Sequence, residues 1–234
     1  MKNVLARGGI EFIAVLLGIT GSLLLDGRSK EVEIQEQINS SLVALVGELN
    51  SNVEEFDRLT MALDKGMPYL NQAIKAENLN LLKKIKLNIL GFRSTTPWGR
   101  PLNRMVYKSL EASGLIYNIR DDSLRTRILN LYEKIYVRHQ FIIDYELNDI
   151  KKLDNVFVSD FVLRDDQDPK TWWWPIDWSN KENIRQFKEN TILRNHFIVN
   201  RGNKRILKGT SPKFKDATQQ TINAIKEYLD DNKQ

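Results

Sequence analysis

The sequence predicts an all-α fold: an N-terminal transmembrane helix, then a long amphipathic helix, then a helical bundle. Three observations carry that expectation. An apolar run stands near the N-terminus, apolar residues beyond it recur at intervals of three and four, and no stretch alternates convincingly with the period of two that half-buried strands require. The chain has 234 residues, with 35 Lys plus Arg against 30 Asp plus Glu and 41% hydrophobic residues. That length suits one large or two small domains. Charged residues make up 28% and the mean hydropathy is -0.42, which argues against a disordered tail and against a polytopic membrane protein. Because the chain has no cysteine, disulfides, thiolate metal sites and cysteine nucleophiles are excluded together.

The first element runs from Gly8 to Leu25, 18 residues with one charge, Glu11. As a helix it is about 27 Å long, close to a hydrocarbon core of about 30 Å. The uninterrupted apolar run from Phe12 is 14 residues, a length that a buried core helix also has; a cleaved signal peptide fits less well, because Glu11 lies inside the apolar region and Asp26-Gly27-Arg28 stands where a small-x-small site belongs. Helical projection places Glu11, Ala14, Val15, Gly18, Ser22 and Leu25 on one stripe. Ala14, Gly18 and Ser22 repeat every fourth residue, the spacing of small residues that lets two helices approach closely in lipid. A charged carboxylate near the bilayer centre costs about 2.5–3.5 kcal/mol, so Glu11 either snorkels to the headgroups or lies in a helix–helix interface with that stripe. Lys2 and Arg7 precede the segment, and Arg28 and Lys30 follow it. With the amino terminus this leaves a slight positive excess on the N-terminal side, which places the N-terminus in the cytoplasm and the body in the periplasm.

The next segment carries apolar residues at Ile34, Ile38, Leu42, Leu45, Leu49, Val53, Phe56, Leu59 and Leu63. These spacings predict one long helix, continuous with the anchor, whose stripe is a packing seam. An intermolecular coiled coil is the minority reading, because Ser41, Gly47 and Asn52 dilute the stripe. Eight acids and two bases lie between Glu31 and Gly66, and Gly66-Met67-Pro68 is expected to end the helix.

From Tyr69 to Leu90 the pattern remains helical, as a short helix and a second beginning near Asn78 or Asn80. Eight basic residues against Glu77 alone fall between Met67 and Leu110, so the acidic helix before them is their expected intramolecular complement. Phe92 to Pro101 reads as a loop, and Leu102 to Ser113 as a helix stopped by Gly114. Asp121-Asp122-Ser123 offers caps for a helix from Leu124 to about Val156. Its apolar positions are Leu124, Ile128, Leu131, Ile135, Phe141 or Ile142, Tyr145 and Ile150.

Four of the five tryptophans, Trp172, Trp173, Trp174 and Trp178, crowd into an irregular connection near residues 160–180. Indoles pair a large apolar body with one donor, so this cluster is a core plug, a membrane or partner contact, or a ligand pocket. Asp165, Asp166 and Asp168 lack the ligand spacing of a calcium loop. A helix over roughly Asn180 to Val199 and a last helix near Asp216 to Leu229 enclose a solvated turn. From Arg194 to Lys215 there are seven basic residues and no acid, with a patch at Arg201, Lys204, Arg205 and Lys208. The organisation is therefore an anchor at 1–28, a juxtamembrane helix at 29–66, a helical bundle at 67–160, and a Trp-rich connection with C-terminal helices at 161–234.

Two stretches carry a resemblance. Gly9-Ile10-Glu11-Phe12-Ile13-Ala14-Val15-Leu16-Leu17-Gly18-Ile19 is one; Tyr107-Lys108-Ser109-Leu110-Glu111-Ala112-Ser113-Gly114-Leu115-Ile116, followed by Ile119, Asp122, Leu124, Arg125, Leu131 and Tyr132, is the other. Both resemble a family of uncharacterised bacterial single-span membrane proteins, a domain of unknown function. Its glycine-glutamate opening, hydrophobic run and Ser-Gly motif before a tyrosine-rich helix match these residues. The junction Leu24-Leu25-Asp26-Gly27-Arg28 departs from that family's usual exit from the span. The resemblance implies a bacterial membrane protein with a helical soluble part, and no activity.

His139 and His196 are the only histidines, and no metal-binding pair, phosphate loop or nucleophile elbow occurs. The expectation is no metal, no cofactor and no catalysis; an enzymatic reading would have to fall on a residue such as His139. The expected role is a non-enzymatic scaffold in the bacterial inner membrane. It self-associates or serves another membrane protein as an accessory subunit, with the lipid bilayer as a further partner. The Glu11, Ala14, Gly18 and Ser22 face is its interface. A periplasmic body argues against nucleic acid as the target of the basic patch. The alternative is a helical sensor binding a small ligand near Trp172 to Trp178, with Arg100 or Arg104.

Overall fold

A computed structural model describes residues 2–75, 101–163, 176–177 and 179–232, with the side chains of residues 2–29 and 69 outside that description. Six helices are described: α1 (Lys2–Ile74), α2 (Met105–Ala112), α3 (Asp122–Asn130), α4 (Tyr136–Asp160), α5 (Lys181–Glu189) and α6 (Thr191–Asp231). A 3-10 turn over Leu115–Asn118 precedes α3, and a π turn over Leu131–Ile135 joins α3 to α4. Among the described residues there is no strand, only an isolated antiparallel bridge between Leu163 and Ile176. The all-helical expectation is met.

α1 supplies the spine. Its 73 residues make a helix about 110 Å long, and its buried positions Ile38, Leu42, Leu45, Leu49, Phe56, Leu59, Leu63 and Leu70 keep the three-and-four spacing. Cross-helix contacts set the directions of its neighbours. Phe56 meets Tyr136 and His139 of α4, and Leu70 shares a core with Leu153 and Phe157, so α4 runs parallel to α1. Gln35 bonds Tyr228, Asp57 pairs with Lys215 and Asp64 with Lys208, so α6 runs antiparallel to it. The parallel pair has a topological cost. Asn103 sits against Asn52, about 33 Å back along α1 from its end at Ile74.

Three apolar cores are strung along this frame. The largest joins Ile38 to Phe56 with α2, α3, the π turn and the last third of α6. A small one joins Leu59 and Leu63 to Ile143 and Leu207. The third gathers Leu70, Ala73, Leu153, Phe157, Phe161, Ile176, Phe187, Leu193 and Phe197.

Local signals act as expected at several ends. Gly114 takes φ 73°, the left-handed conformation in which a side chain would be strained, and stops α2. Asp121 caps α3 by accepting from the backbone N–H groups of Ser123 and Leu124 at 2.8 and 3.0 Å. Asn183, fully buried, donates to the carbonyls of Val162 and Asp177 and accepts from Val162 N–H, which ties α5 to the connection before it.

Four expectations are corrected. α1 does not end at Gly66-Met67-Pro68 but continues through Pro68 to Ile74. An internal proline costs about 3 kcal/mol, and burial of Leu70 and Ala73 in the third core offsets it. The turn expected between Val199 and Asp216 is helix, because α6 is continuous through Gly202, Gly209 and Pro212. Its buried face there is Asn200, Asn203, Lys204, Leu207, Ser211 and Phe214, largely polar residues that give no apolar stripe. The helix expected over Asn180–Val199 instead breaks at Asn190, whose extended backbone (ψ 101°) ends α5 while its side chain caps α6 through Leu193 N–H. Finally, Tyr145 is exposed, and of the pair Phe141 or Ile142 it is Ile142 that packs against the cores while Phe141 is 69% exposed; Tyr136, His139, Ile143 and Glu146 face inward. The π turn adds a residue to one turn and rotates the stripe.

Among the described residues three acids of α1 pair across the bundle, as Asp57–Lys215, Asp64–Lys208 and Glu31–Arg120; most of the basic segment expected to complement α1 lies outside the described residues. The helices expected between residues 76 and 100 lie outside the described residues. No helix among the described residues is long and apolar enough to cross a membrane; the segment on which the span was expected falls among the side chains not described.

Two neighbouring substitutions on α1 are expected to act with opposite sign. Leu49 is fully buried, so Leu49→Ala costs about 2–5 kcal/mol. Gly47 is exposed, with no atom within 4 Å of an added Cβ, so Gly47→Ala stabilises by up to about 1 kcal/mol. Denaturant unfolding of the full chain measures both.

Candidate functional site

The distinctive chemistry lies inside the bundle, where core positions of α4 and α6 are occupied by polar and ionisable residues. In α4 the inward register includes His139 and Glu146, with Asp149 beside it; in α6 it includes Asn200, Asn203, Lys204 and Ser211.

At the level of the largest core, a hydrogen-bonded network ties four elements together. Glu48 of α1 accepts from the Tyr132 hydroxyl and from Val106 N–H of α2, both at 2.6 Å. Asn52, one turn on, bonds both backbone groups of Asn103, accepting at 2.7 Å and donating at 2.9 Å. It also donates to the Tyr136 hydroxyl, which meets Thr218 of α6 at 3.0 Å. Tyr107 and Tyr132 stack with centroids 4.1 Å apart and planes 4° from parallel. Arg104 lies over both rings and donates to the Tyr132 carbonyl and to Glu133, giving a carbonyl within the π turn a partner. Burial, then the Glu48 charge and hydrogen bond, push the Tyr132 hydroxyl far above its ordinary range. Burial pushes Tyr136 up to about 12, against the lowering effect of its bonds with Thr218 and Asn52. Both phenols therefore remain protonated donors.

Below it lies a polar seam between α4 and α6. Lys204 Nζ donates to Glu146 Oε1 at 2.5 Å, with both side chains 0% exposed. Burial lowers the Lys204 pKa, and Glu146 opposes that shift. Asp149 meets His196 at 3.1 Å. Glu146 Oε2, Asp149 Oδ2, both amide atoms of Asn200, Asn203 Nδ2 and Ser211 Oγ are buried without a hydrogen-bond partner. His139 completes the seam, edge-on to Phe56 and Phe214 with centroids 5.1 and 5.6 Å away. Its Nδ1 has no partner, and burial depresses its pKa to about 4. Each aromatic contact is one a neutral imidazole makes as readily as phenyl, so His139 serves here as a core ring.

Among the described residues no group of three or more His, Cys, Asp or Glu is placed to hold a metal ion. A shallow cavity of about 550 Å³ lies between the π turn and α6, lined by Thr126, Arg127, Leu131, Lys134, Ala217 and Thr221 among others.

The sequence-derived candidates fare unevenly. Glu11, Ala14, Gly18 and Ser22 fall in the helical run of α1, with their side chains outside the described residues; Arg100 and Trp172, Trp173, Trp174 and Trp178 also lie outside them. Arg104 is described, and is engaged in the Tyr107–Tyr132 stack. The basic patch divides. Lys204 is buried on Glu146, Lys208 pairs with Asp64 on α1, and Arg201 and Arg205 remain on the outer side of α6. Glu48 and Glu146 were missed as site residues. The signal was present, since Glu146 stands three residues after Ile143 and four before Ile150, in the inward period.

No family model matches the chain, and no curated protein or solved structure is significantly similar to it.

Stability is expected to depend on pH through His139. The unfolded imidazole takes a proton below its ordinary value of 6.5 while the folded one resists until about 4. Stability is thus unaffected above pH 6.5, falls as pH drops through 6.5 to 4, and loses about 3 kcal/mol in all. Melting curves across that range test this, and His139→Phe flattens the slope. Lys204→Met leaves a bare buried carboxylate and costs about 3–5 kcal/mol, whereas Lys204→Met combined with Glu146→Met recovers most of the loss. Equal damage from the single and double variants contradicts the pairing.

Proposed function

We propose that this chain is a single-span, membrane-anchored helical interaction protein, a scaffold or accessory subunit without catalysis of its own. The observation that carries this reading is the continuity of α1, one helix from Lys2 to Ile74 that contains the apolar segment of residues 8–25 and then becomes the bundle's spine. A span joined to its domain without a flexible linker transmits position and rotation directly. The packed interior supports the same reading, because the ionisable groups nearest the centre are engaged with one another or shut away from solvent.

In this proposal the chain sits in a bacterial inner membrane with a cytoplasmic N-terminus and a periplasmic bundle, and the family of single-span proteins resembled by its two motifs is its family. Self-association, or contact with another membrane subunit, uses the face of Glu11, Ala14, Gly18 and Ser22. The second reading, a sensor for a small ligand near Trp172 to Trp178, draws on one observation. The bridge between Leu163 and Ile176 holds the two ends of the tryptophan-bearing segment together. Saturable quenching of tryptophan fluorescence by a small molecule selects it.

The absence of native cysteine makes the primary test direct. Single variants Ala14→Cys, Gly18→Cys and Ser22→Cys are expected to form disulfide-linked dimers, or crosslinks to a partner, in membranes that resist carbonate extraction, while Thr20→Cys on the opposite face does not. Release of the chain by carbonate removes the anchor from the proposal, and equal crosslinking at all four positions removes the interface.

A further inference from the structure

The outer face of α6 changes character halfway along the helix. Between Thr191 and Gly209 it exposes Ile192 (60%), Val199 (44%) and Ile206 (53%), seven residues apart, and further round the helix Ile198. Gly202 and Gly209 share that side, and nothing lies within 4 Å of a Cβ built on either. Beyond Lys215 the same helix turns Asp216, Gln219, Gln220, Asn223 and Glu227 outward, and no large hydrophobic residue is exposed there. Single exposed apolar residues are ordinary. A row of β-branched ones at heptad spacing on one half of a helix marks an interaction surface.

The charges facing the row across the exposed side of the helix specify the occupant. Of the bases in this half, Lys204 is buried on Glu146, while Lys208 is paired with Asp64 across the α1 edge. Arg194, Arg201 and Arg205 remain, on the opposite edge of the exposed face from the apolar row, and among the described residues none has an acidic partner. Helical projection sets these arginines within about 40° of one another and about 140° round from the apolar row, with Ile198, Gly202 and Gly209 between the two. The glycines leave a shallow channel along which another backbone can approach closely.

We propose that this face docks an acidic amphipathic helix of a partner protein over Gly202 and Gly209, its apolar seam against Ile192, Val199 and Ile206 on one edge and its carboxylates on Arg194, Arg201 and Arg205 on the other. The apolar row sets this surface apart from one that binds phosphates alone, where bases carry the affinity and heptad-spaced isoleucines serve no purpose. It supplies the partner chemistry for the interaction role proposed above. It is independent of the membrane anchor, because every residue involved belongs to α6.

The test uses the full chain in detergent and a fluorescent synthetic peptide of about three heptads, with leucine at the seam and glutamate at the flanking positions. The acidic peptide is expected to bind saturably and to weaken with salt, while its lysine counterpart does not bind. Ile206→Glu and Arg205→Glu, both at exposed positions that leave the cores intact, are each expected to weaken binding about tenfold or more. Asp216→Arg on the polar half leaves it unchanged. Binding of both peptides alike, indifference to Ile206→Glu, or absence of binding overturns the proposal. So does either of two displacements: vesicles of anionic phospholipid taking the face, which makes it a lipid surface, or a dimer of the chain lost on Ile206→Glu, which makes the occupant a second copy. Because carbonate extraction reads the anchor separately, failure of one proposal leaves the other standing.

Discussion

One stripe along α1 forms a wall of each of the three apolar cores among the described residues. Ile38 to Phe56 close the first, Leu59 and Leu63 the second, and Leu70 and Ala73 the third. A single helix serving three cores must keep one phase throughout, and its partners must conform to it. This constraint accounts for two irregularities. Pro68 is retained in the helix because a break there would turn Leu70 and Ala73 away from the third core. The π turn after α3 lets Leu131 and Tyr132 both face inward and hands α4 on in the phase that α1 presents.

The polar seam sets register where hydrophobic contacts alone would leave it loose. Isoleucine and leucine side chains slide past one another at modest cost, so an α4–α6 interface made of them tolerates several alignments. A Lys204–Glu146 pair at 2.5 Å tolerates one. Displacement by a turn leaves two charges in an apolar surround, each costing several kcal/mol. Glu48 and Asn52 do the same between α1 and α2, because bonds to Val106 N–H and to both backbone groups of Asn103 are lost on a shift of one residue.

What the sequence made legible follows from these same forces. The stripe of α1 could be read directly, since seven of the nine apolar positions from Ile34 to Leu63 are buried and only Ile34 is exposed. Caps were legible for the same local reason: Asp121 and Gly114 act on backbone within three residues of themselves. The middle of α6 was not, because Asn200, Lys204 and Ser211 occupy inward positions that apolar periodicity registers as surface. Lys204 illustrates the difficulty, since only the distant Glu146 explains why it is inside. The inward register of α4 was misread at Tyr145 and left open between Phe141 and Ile142, as a one-residue insertion in a helix leaves no mark in composition. The anchor face and the tryptophans remain sequence arguments, because they fall outside the described residues.

The antiparallel placement of α6 also bears on the order in which the protein can be made. Tyr228 bonds Gln35 and Ile222 and Ile225 pack with Ile38 to Phe56, so the first apolar core joins residues separated by nearly the whole chain. A ribosome delivering the chain from the N-terminus exposes α1 with half its stripe uncovered throughout elongation, and the core closes only when α6 has emerged. Neither α1 with α2 nor α3 with α4 can close it sooner, since each lacks the antiparallel partner. During synthesis that uncovered stripe is an apolar surface many turns long.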